Sequence, residues 1–511
     1  MAESSAPNPR DLDEALDVIA TLREQLQHSQ RENDLLRHQL DALCRRMFGK
    51  KSERVDPHQL RLAFEALEGA DISNGSLELD SGENIPKIQV RGHGRKRSKG
   101  RRPLPAELPR ERQVVDVDEA EKKCTCGREK EKLGELVTEK LEYVPSSFFV
   151  RETVRPKYAC GRCHTGVCVA ALPAQAVEKA IAGEGLLAHV VVSKYADHTP
   201  LHRLEGIFAR HGVDIPRATM SDWVGAVADA LTPVVEQMKQ ELTKTDYIQT
   251  DDTPVKVLAY RSTGFKGRLW AYLDPLNRQV VFDATQTHER DGPMKFLANF
   301  EGYLQADAYA GYDEMYRTKP IVEVGCWAHG RRRFVDALTT DSQAAPVIAV
   351  VQKLYRIERE ISELSPVERK EHRQEYSRPL LDKLDEIRME LQAKVLPKSP
   401  LGDAVGYITN QWTALNRFLE DGRLRIDNNG AEYQLRAVAV GRKNWLFAGS
   451  FEGARRAATL YSLIQSCRLV SIDPFLYFRD VLVRVATHPQ RQIAELTPRM
   501  WAKRLAQQSA A

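Results

Sequence analysis

The feature that most narrows what this chain can fold into is a change of period at residue 246. Upstream, residues 180–243 read as helix throughout. There "TPLHRLEGIFARHGVDIPRATMSDWVGAVADAL" gives an apolar-periodic helix, a break at Gly212, a cap near Thr219 and a second helix. Downstream, "YIQTDDTPVKVLAY", "GRLWAYLDP" and "QVVFDATQ" are three consecutive strand candidates. A short helix follows in "GPMKFLANF", then strands in "YLQADAY" and "IVEVGCWAH". Residues 331–420 turn helical and highly charged, and a last helix begins near Glu432, with Asp427, Asn428 or Asn429 placed to cap it.

Three strands, a helix, a strand, a helix-linked strand and a final helix is the element order of an RNase H-like fold, here with a helical insertion at 335–420 before the last helix. Two strand candidates carry carboxylates where turn-forming residues follow, Asp251 in "QTDDTP" and Asp307 in "LQADAYAGY". Two such carboxylates on adjacent strands and a third on a helix packed across them can hold two divalent cations, and hard oxygen ligands suit Mg²⁺ or Mn²⁺. Glu432 is the candidate third. It is the one glutamate in "RLRIDNNGAEYQLRAVAVGRKNWLFAGS", among four arginines and a lysine. Arg436, Arg442 and Lys443 would then hold a DNA backbone beside the metals. The plain alternative is an i,i+4 pair between Glu432 and Arg436, worth about 0.3–0.5 kcal/mol. Asp252, Asp283 and Asp313 compete for the carboxylate roles on spacing alone.

The first half of the chain reads as modules. Residues 11–50 begin with a heptad pattern in which Leu12, Ile19, Leu26, Asn33 and Leu40 occupy a, and Ala15, Leu22, Ser29, Leu36 and Leu43 occupy d. Such a helix suits a short parallel coiled coil and a homodimer or higher assembly. Residues 51–110 form a linker of mixed charge. Within it, 65–83 carry six acids and no bases, and "RGHGRKRSKGRR" carries seven Lys or Arg and no acid. Arg95, Lys96, Arg97, Lys99, Arg101 and Arg102 of that run are candidate phosphate contacts. Residues 111–175 hold Cys124 and Cys126, then Cys160 and Cys163, on either side of strand-like sequence. That is the layout of a zinc ribbon with one structural Zn²⁺, and His164 and Cys168 are spare ligands. The helical block 180–243 has a helix-turn-helix outline suited to DNA contact.

These pieces give a multidomain α+β chain: coiled-coil helix, zinc-ribbon-like module, helical block, α/β catalytic domain over 244–470 and a C-terminal helical segment, 471–511. The net charge of +4 does not by itself require a nucleic-acid partner. No apolar run approaches the roughly 18 residues of a membrane span, and the polar N-terminus lacks a signal core, so a cytoplasmic, nucleoid-associated protein without a membrane partner is expected. Its thiols would be reduced there.

From about residue 30 to 485 the chain resembles transposases of the bacterial IS-sixty-six insertion-sequence family. "LCRRMFGKKSERV", the paired cysteines and "LLAHVVVSKYADHTPLHRLEGIFARHGVDIPRATMSDWV" resemble its N-terminal block, zinc module and helical block. "DDTPVKV", "GRLWAYL", "GYLQADAYAGYD", "GCWAHGRRRF", "DNNGAEYQLRAVAVGRKNWLFAGS" and "DPFLYFRDVL" follow in the family's order. The resemblance implies a DDE transposase with Asp251, Asp307 and Glu432 as its triad. It would cleave double-stranded DNA at the element's ends and join the 3′-OH ends to target DNA, with smaller proteins of the same element as partners. The first motif usually reads Asp-Glu-Thr, and Asp252 stands here in place of Glu. "CWAH", with Cys326, Trp327 and His329, is also family-like, and Arg331 and Arg332 beside it join the candidate DNA contacts.

Overall fold

A computed structural model describes residues 174–258 except 179, residues 264–510, and before 174 the positions Leu22, Arg23, Leu26, Ser29, Gln30, Glu32, Phe148, Lys157, Tyr158, Cys168 and Val169. The chain divides into two compact units, 71–154 and the remainder, and Phe148 is the one described residue of the former. The basic run and Cys124, Cys126, Cys160 and Cys163 lie outside the described residues, as does most of the heptad helix. Its described positions are helical, and Leu22 and Leu26 are exposed, as seam residues of a single copy would be. A short antiparallel pairing sets β1 (Lys157–Tyr158) against β2 (Cys168–Val169).

The centre is a five-stranded mixed sheet. Strands β3 (Tyr247–Val257), β4 (Phe265–Asp274) and β5 (Gln279–Thr285) form an antiparallel meander. Strand β6 (Gly302–Gln305) then pairs parallel to β3, and β7 (Ile321–Val324) parallel to β6, giving the order β5-β4-β3-β6-β7. All five sit where the sequence places strands. "IVEVGCWAH" differs at its end: β7 stops at Val324, and Trp327 opens a helix. Trp327 is fully buried and its indole donates to the Leu415 carbonyl at 2.9 Å, so the residue anchors a helix start and does not continue a ladder.

Helices α1 (Glu184–Tyr195), α2 (Leu201–Ala209) and α3 (Arg217–Leu242) precede the sheet. Gly212 takes the left-handed conformation, φ 74°, in the turn between α2 and α3. Helix α3 starts at Arg217, two residues before the expected cap Thr219, because Pro216 at the N-cap sets the entry and no side chain caps it. Its apolar face, including Trp223, Val227, Leu231 and Met238, joins the same hydrophobic core as β3, β4 and β5.

The outer edge of β5 is closed by side chains. Helix α13 (Phe451–Leu469) lies along it, and the N–H groups of Phe282 and Val280 donate to Ser462 and Ser466 Oγ at 2.8 and 3.1 Å. Ser466 Oγ donates back to the Val280 carbonyl at 3.0 Å. Two serines four residues apart on one helix face thus replace the missing neighbouring strand.

Between β7 and the helix α12 (Asn429–Trp445) lies the helical insertion. It comprises α6 (Trp327–Leu338), α7 (Ala345–Glu360), α8 (Pro366–His372), α9 (Arg378–Lys394), α10 (Pro400–Asn410) and α11 (Trp412–Asn416). It has its own apolar core around Val347, Val351, Leu384 and Val405. Arg373, in a π-helical turn between α8 and α9, is fully buried. Its guanidinium donates to both Glu358 oxygens at 2.7 and 2.6 Å, and to the carbonyls of Phe418, Asp421 and Leu424 at 2.7, 3.1 and 2.9 Å. The insertion thereby fixes the strand of chain that leads into α12. Helices α14 (Pro474–Val485) and α15 (Pro498–Ala510) complete the chain, α14 packing on α1.

Candidate active site

Register brings the two aspartates together. In the parallel pairing of β3 with β6, Gln249 stands opposite Gln305, and Asp251 and Asp307 each follow by two residues. Alternation carries Asp251 back to the face of Gln249. Strand β6 ends at Gln305, so Asp307 leaves the ladder, as expected. Asp251 does not end its strand: β3 continues to Val257 against β4. It lies beyond the last β3–β6 pair, and that flank is next paired by Ala448, which bridges Val257.

Helix α12 supplies the third carboxylate. It packs across β3 and β4, with Glu432 in its first turn. The capping differs from the simple expectation. Asn429 N–H donates to Asp427 Oδ1 at 3.2 Å, while Asn428 sends its amide to the Thr250 carbonyl at 3.2 Å, next to Asp251. Gly430 makes this approach feasible: a Cβ there would stand 2.3 Å from Gln249 Oε1 and 2.9 Å from a Leu273 methyl. At the other end of α12, Arg442 Nη1 donates to Thr253 Oγ1 at 2.8 Å and to the Pro254 carbonyl at 2.5 Å.

Electrostatics ties the three acids into one site. The Asp251 carboxyl is pushed up to about 8, first by burial and then by the charges of Asp307, Glu432 and Asp252, against the pull of its hydrogen bond from Asp252 N–H. Asp307 is raised as well, chiefly by burial, with His329 opposing and Asp252 adding to the rise. Glu432 Oε1 is buried and has no hydrogen-bond partner, and His329 Nε2 stands 3.7 Å from it. Three hard oxygen donors, one of them buried and unpartnered, fit a hard divalent cation.

Among the described residues, one trio of ligand atoms lies within 4.8 Å of one another: Cys326, His329 and Glu432. The three carboxylates form a wider set. Donors that share two cations about 4 Å apart need not all touch one ion. Cys326 is fully buried, and burial pushes its thiol up to about 12. His329, in the first turn of α6, faces Glu432 and acts on Asp307. Its sequence context left its role open, and the signal was its place three residues after Cys326 at the end of a strand.

The competitors separate. Asp252 is already engaged, accepting from Arg268 Nη1 at 2.7 Å and bonding His288 Nε2 at 3.0 Å, although its charge reaches both Asp251 and Asp307. Asp283 on β5 faces Lys239, Arg455 and Glu236, and Asp313 opens α5 (Asp313–Thr318). Of the candidate DNA contacts, Arg436 and Lys443 are exposed on α12, with Arg436 over the Tyr433 ring at 5.5 Å. Arg332 is exposed and Arg331 half-buried on α6. The glutamines behind the aspartates were not singled out in the sequence. Their signal was the repeated spacing Gln-x-Asp in "IQTDD" and "LQADA".

Residues 179–456, which contain the sheet, the insertion and all three carboxylates, match the model described as the transposase IS66 family. The chain belongs to the IS66 transposase family. Further family models cover 35–112 (Transposase C of IS166 homeodomain), 121–164 (zinc-finger binding domain of transposase IS66) and 462–499 (IS66 C-terminal element). Relatives include three uncharacterized proteins of Sinorhizobium fredii. Protein y4hP is 34% identical over 91% of this chain and 88% of its own length. Protein y4jD is 31% identical over 91% and 94%, and y4qI 33% over 98% and 94%. The zinc-finger match spans Cys124, Cys126, Cys160 and Cys163 and accords with a structural zinc. No helix among the described residues is long and apolar enough to cross a membrane.

Proposed function

We propose that this IS66-family protein is a DDE transposase that cleaves DNA at the ends of its element and joins the freed 3′-OH to target DNA. The observation that supports the reading is the β3–β6 register, in which the paired Gln249 and Gln305 each come two residues before an aspartate, with Glu432 in the first turn of the helix packed on β3. The sheet order, three antiparallel strands followed by two parallel ones, supports an RNase H-like catalytic domain. In this reading Asp251, Asp307 and Glu432 hold Mg²⁺ or Mn²⁺. Bound divalent cations would supply the positive charge that activates a water or 3′-hydroxyl oxygen and stabilises the departing oxygen. Both steps are in-line displacements at phosphorus. In the first, water displaces a 3′ oxygen at the element end. In the second, that 3′ oxygen displaces a 3′ oxygen of the target strand. One set of side chains can therefore serve both.

Arg436 and Lys443, exposed on the helix that carries Glu432, would hold the DNA backbone, with Arg331 and Arg332 on α6. Arg442 already spends a nitrogen on β3, so its first role is to seat α12. Arg95, Lys96, Arg97, Lys99, Arg101 and Arg102 would add sequence-independent affinity. The N-terminal helix would pair copies so that two ends can be synapsed, and smaller proteins of the element would complete the assembly.

The test is cleavage of a labelled element end in Mg²⁺, and joining of a precleaved end to a target. Asp251→Asn, Asp307→Asn and Glu432→Gln should each abolish both reactions while DNA binding survives, because a neutral amide is a poor ligand and the site fails as a unit. Asp252→Asn should be milder. Activity in folded Glu432→Gln protein would return that residue to a salt-bridge role. Cleavage without joining would leave a nuclease.

A further inference from the structure

Behind the three carboxylates lies a polar cluster sealed inside the protein. Tyr247, Gln249 and Gln305 are at most 1% exposed. Gln249 Nε2 donates to Gln305 Oε1 at 2.8 Å, to Tyr247 Oη at 3.0 Å and to the Asp427 carbonyl at 2.9 Å. Tyr247 Oη donates to Gln305 Oε1 at 2.5 Å and accepts from Arg425 N–H at 3.2 Å. Gln305 Nε2 donates to the carbonyls of Gly325 and Arg425 at 3.0 and 2.8 Å. Two side-chain amides therefore hold four pieces of chain together: β3, β6, the turn after β7 and the segment that leads into α12.

The placement is specific to the acids. Each glutamine precedes one aspartate by two residues in the sequence, and the acceptors at 425 and 427 lie just ahead of the helix that carries Glu432. Gly430, in the turn that carries Glu432, closes on Gln249 Oε1. A fold needing only an apolar contact here would be served by leucine at either position without the cost of burying amides. A buried network whose members are satisfied fixes one geometry, because any shift leaves a carbonyl or amide unpaired.

We infer that Gln249 and Gln305, with Gly430 as their seat on α12, are positioning residues that set the separation of Asp251, Asp307 and Glu432 and so govern divalent-metal affinity. This inference rests on the metal-site reading above. Groups that orient metal ligands without touching the ion change affinity by roughly 10- to 100-fold when altered.

The experiment uses the full chain and Mn²⁺, its binding followed by titration calorimetry with Asp251→Asn protein as the background. Gln305→Leu, Gln249→Leu and Gly430→Ala should each weaken Mn²⁺ binding by roughly 10-fold or more. The Mg²⁺ concentration needed for half-maximal cleavage should rise in parallel, with affinity for element-end DNA unchanged. Gly430→Ala guards against misfolding of the leucine variants, since alanine favours a helix and both amides are kept, while its Cβ, 2.3 Å from Gln249 Oε1, forces a local shift there. Unchanged Mn²⁺ affinity and an unchanged Mg²⁺ profile in folded Gly430→Ala or Gln305→Leu protein would overturn the inference. Wild-type protein whose Mn²⁺ binding and cleavage do not depend on Asp251 would instead overturn the metal-site reading, a distinguishable result.

Discussion

Removing the charge of Asp251 should make the Mg²⁺-free protein more stable. The carboxyl is pushed from an ordinary 3.8 to about 8 by burial first and by its acidic neighbours second. The sign follows from linkage. The folded value lies above the unfolded one, so the fold prefers the protonated form. Any contribution to stability is complete below about 3.8 and is lost as pH rises toward about 8. At pH 7 the ordinary carboxyl is about three units past its midpoint, and each unit is worth 1.36 kcal/mol, which sets a ceiling of about 4 kcal/mol. The residue is half-buried, and water entering the site reduces the realised cost to about 1–2 kcal/mol. Asp251→Asn keeps the shape and escapes the cost, so its melting temperature should exceed wild type by about 1–3 °C. The assay is thermal unfolding of both proteins between pH 5 and 9, dialysed free of Mg²⁺ with zinc retained. The gap should widen up to about pH 8 and then level, since above the folded midpoint both states of wild type are ionised. Saturating Mg²⁺ should raise wild type and leave the variant in place. A variant no more stable than wild type at pH 8, or a gap that ignores pH, would refute the reasoning.

Arg373→Met should cost about 3–5 kcal/mol, because Glu358, with its side chain 13% exposed, would lose its partner and three carbonyls their donor; the double variant with Glu358→Leu should recover part of that in a chemical denaturation series. Purified protein should carry about one zinc per chain by metal analysis, lost in Cys160→Ser; content unchanged by that substitution would move the ligand search to His164 and Cys168. Replacing Leu26 and Leu36 together by Asp should reduce self-association measured by light scattering while the thermal melt of the sheet-bearing unit stays in place.

Much of this was legible in the sequence because strands and carboxylates announce themselves locally. β3, β4 and β5 fall on "YIQTDDTPVKV", "GRLWAYLD" and "QVVFDAT", since β-branched and aromatic runs bounded by turns have few alternatives. Glu432 could be placed in a helical first turn because an asparagine pair precedes it. What could not be read was whatever depends on a partner distant in sequence. That Asp251 lies inside β3 follows from how far β4 extends past β6, which no local pattern records. Trp327 looked like a strand residue because burial and β-propensity agree for tryptophan, and only the Leu415 carbonyl made it a helix start. Gln249 and Gln305 looked like ordinary polar strand positions until the parallel register set them face to face.

The place of the helical insertion bears on when the protein is dangerous. The sheet with Asp251 and Asp307 is complete by Val324, whereas Glu432 comes in sequence only after the insertion, whose Arg373 grips the approach to α12. A nascent chain emerging from the ribosome, or a copy truncated anywhere before α12, can own two of the three acids and cannot own the third. On the proposed mechanism such a chain is a blank cartridge: it has the architecture to meet DNA and nothing with which to cut it. On that mechanism armament is deferred until the insertion has been made, and unfinished copies make no nicks in the host genome.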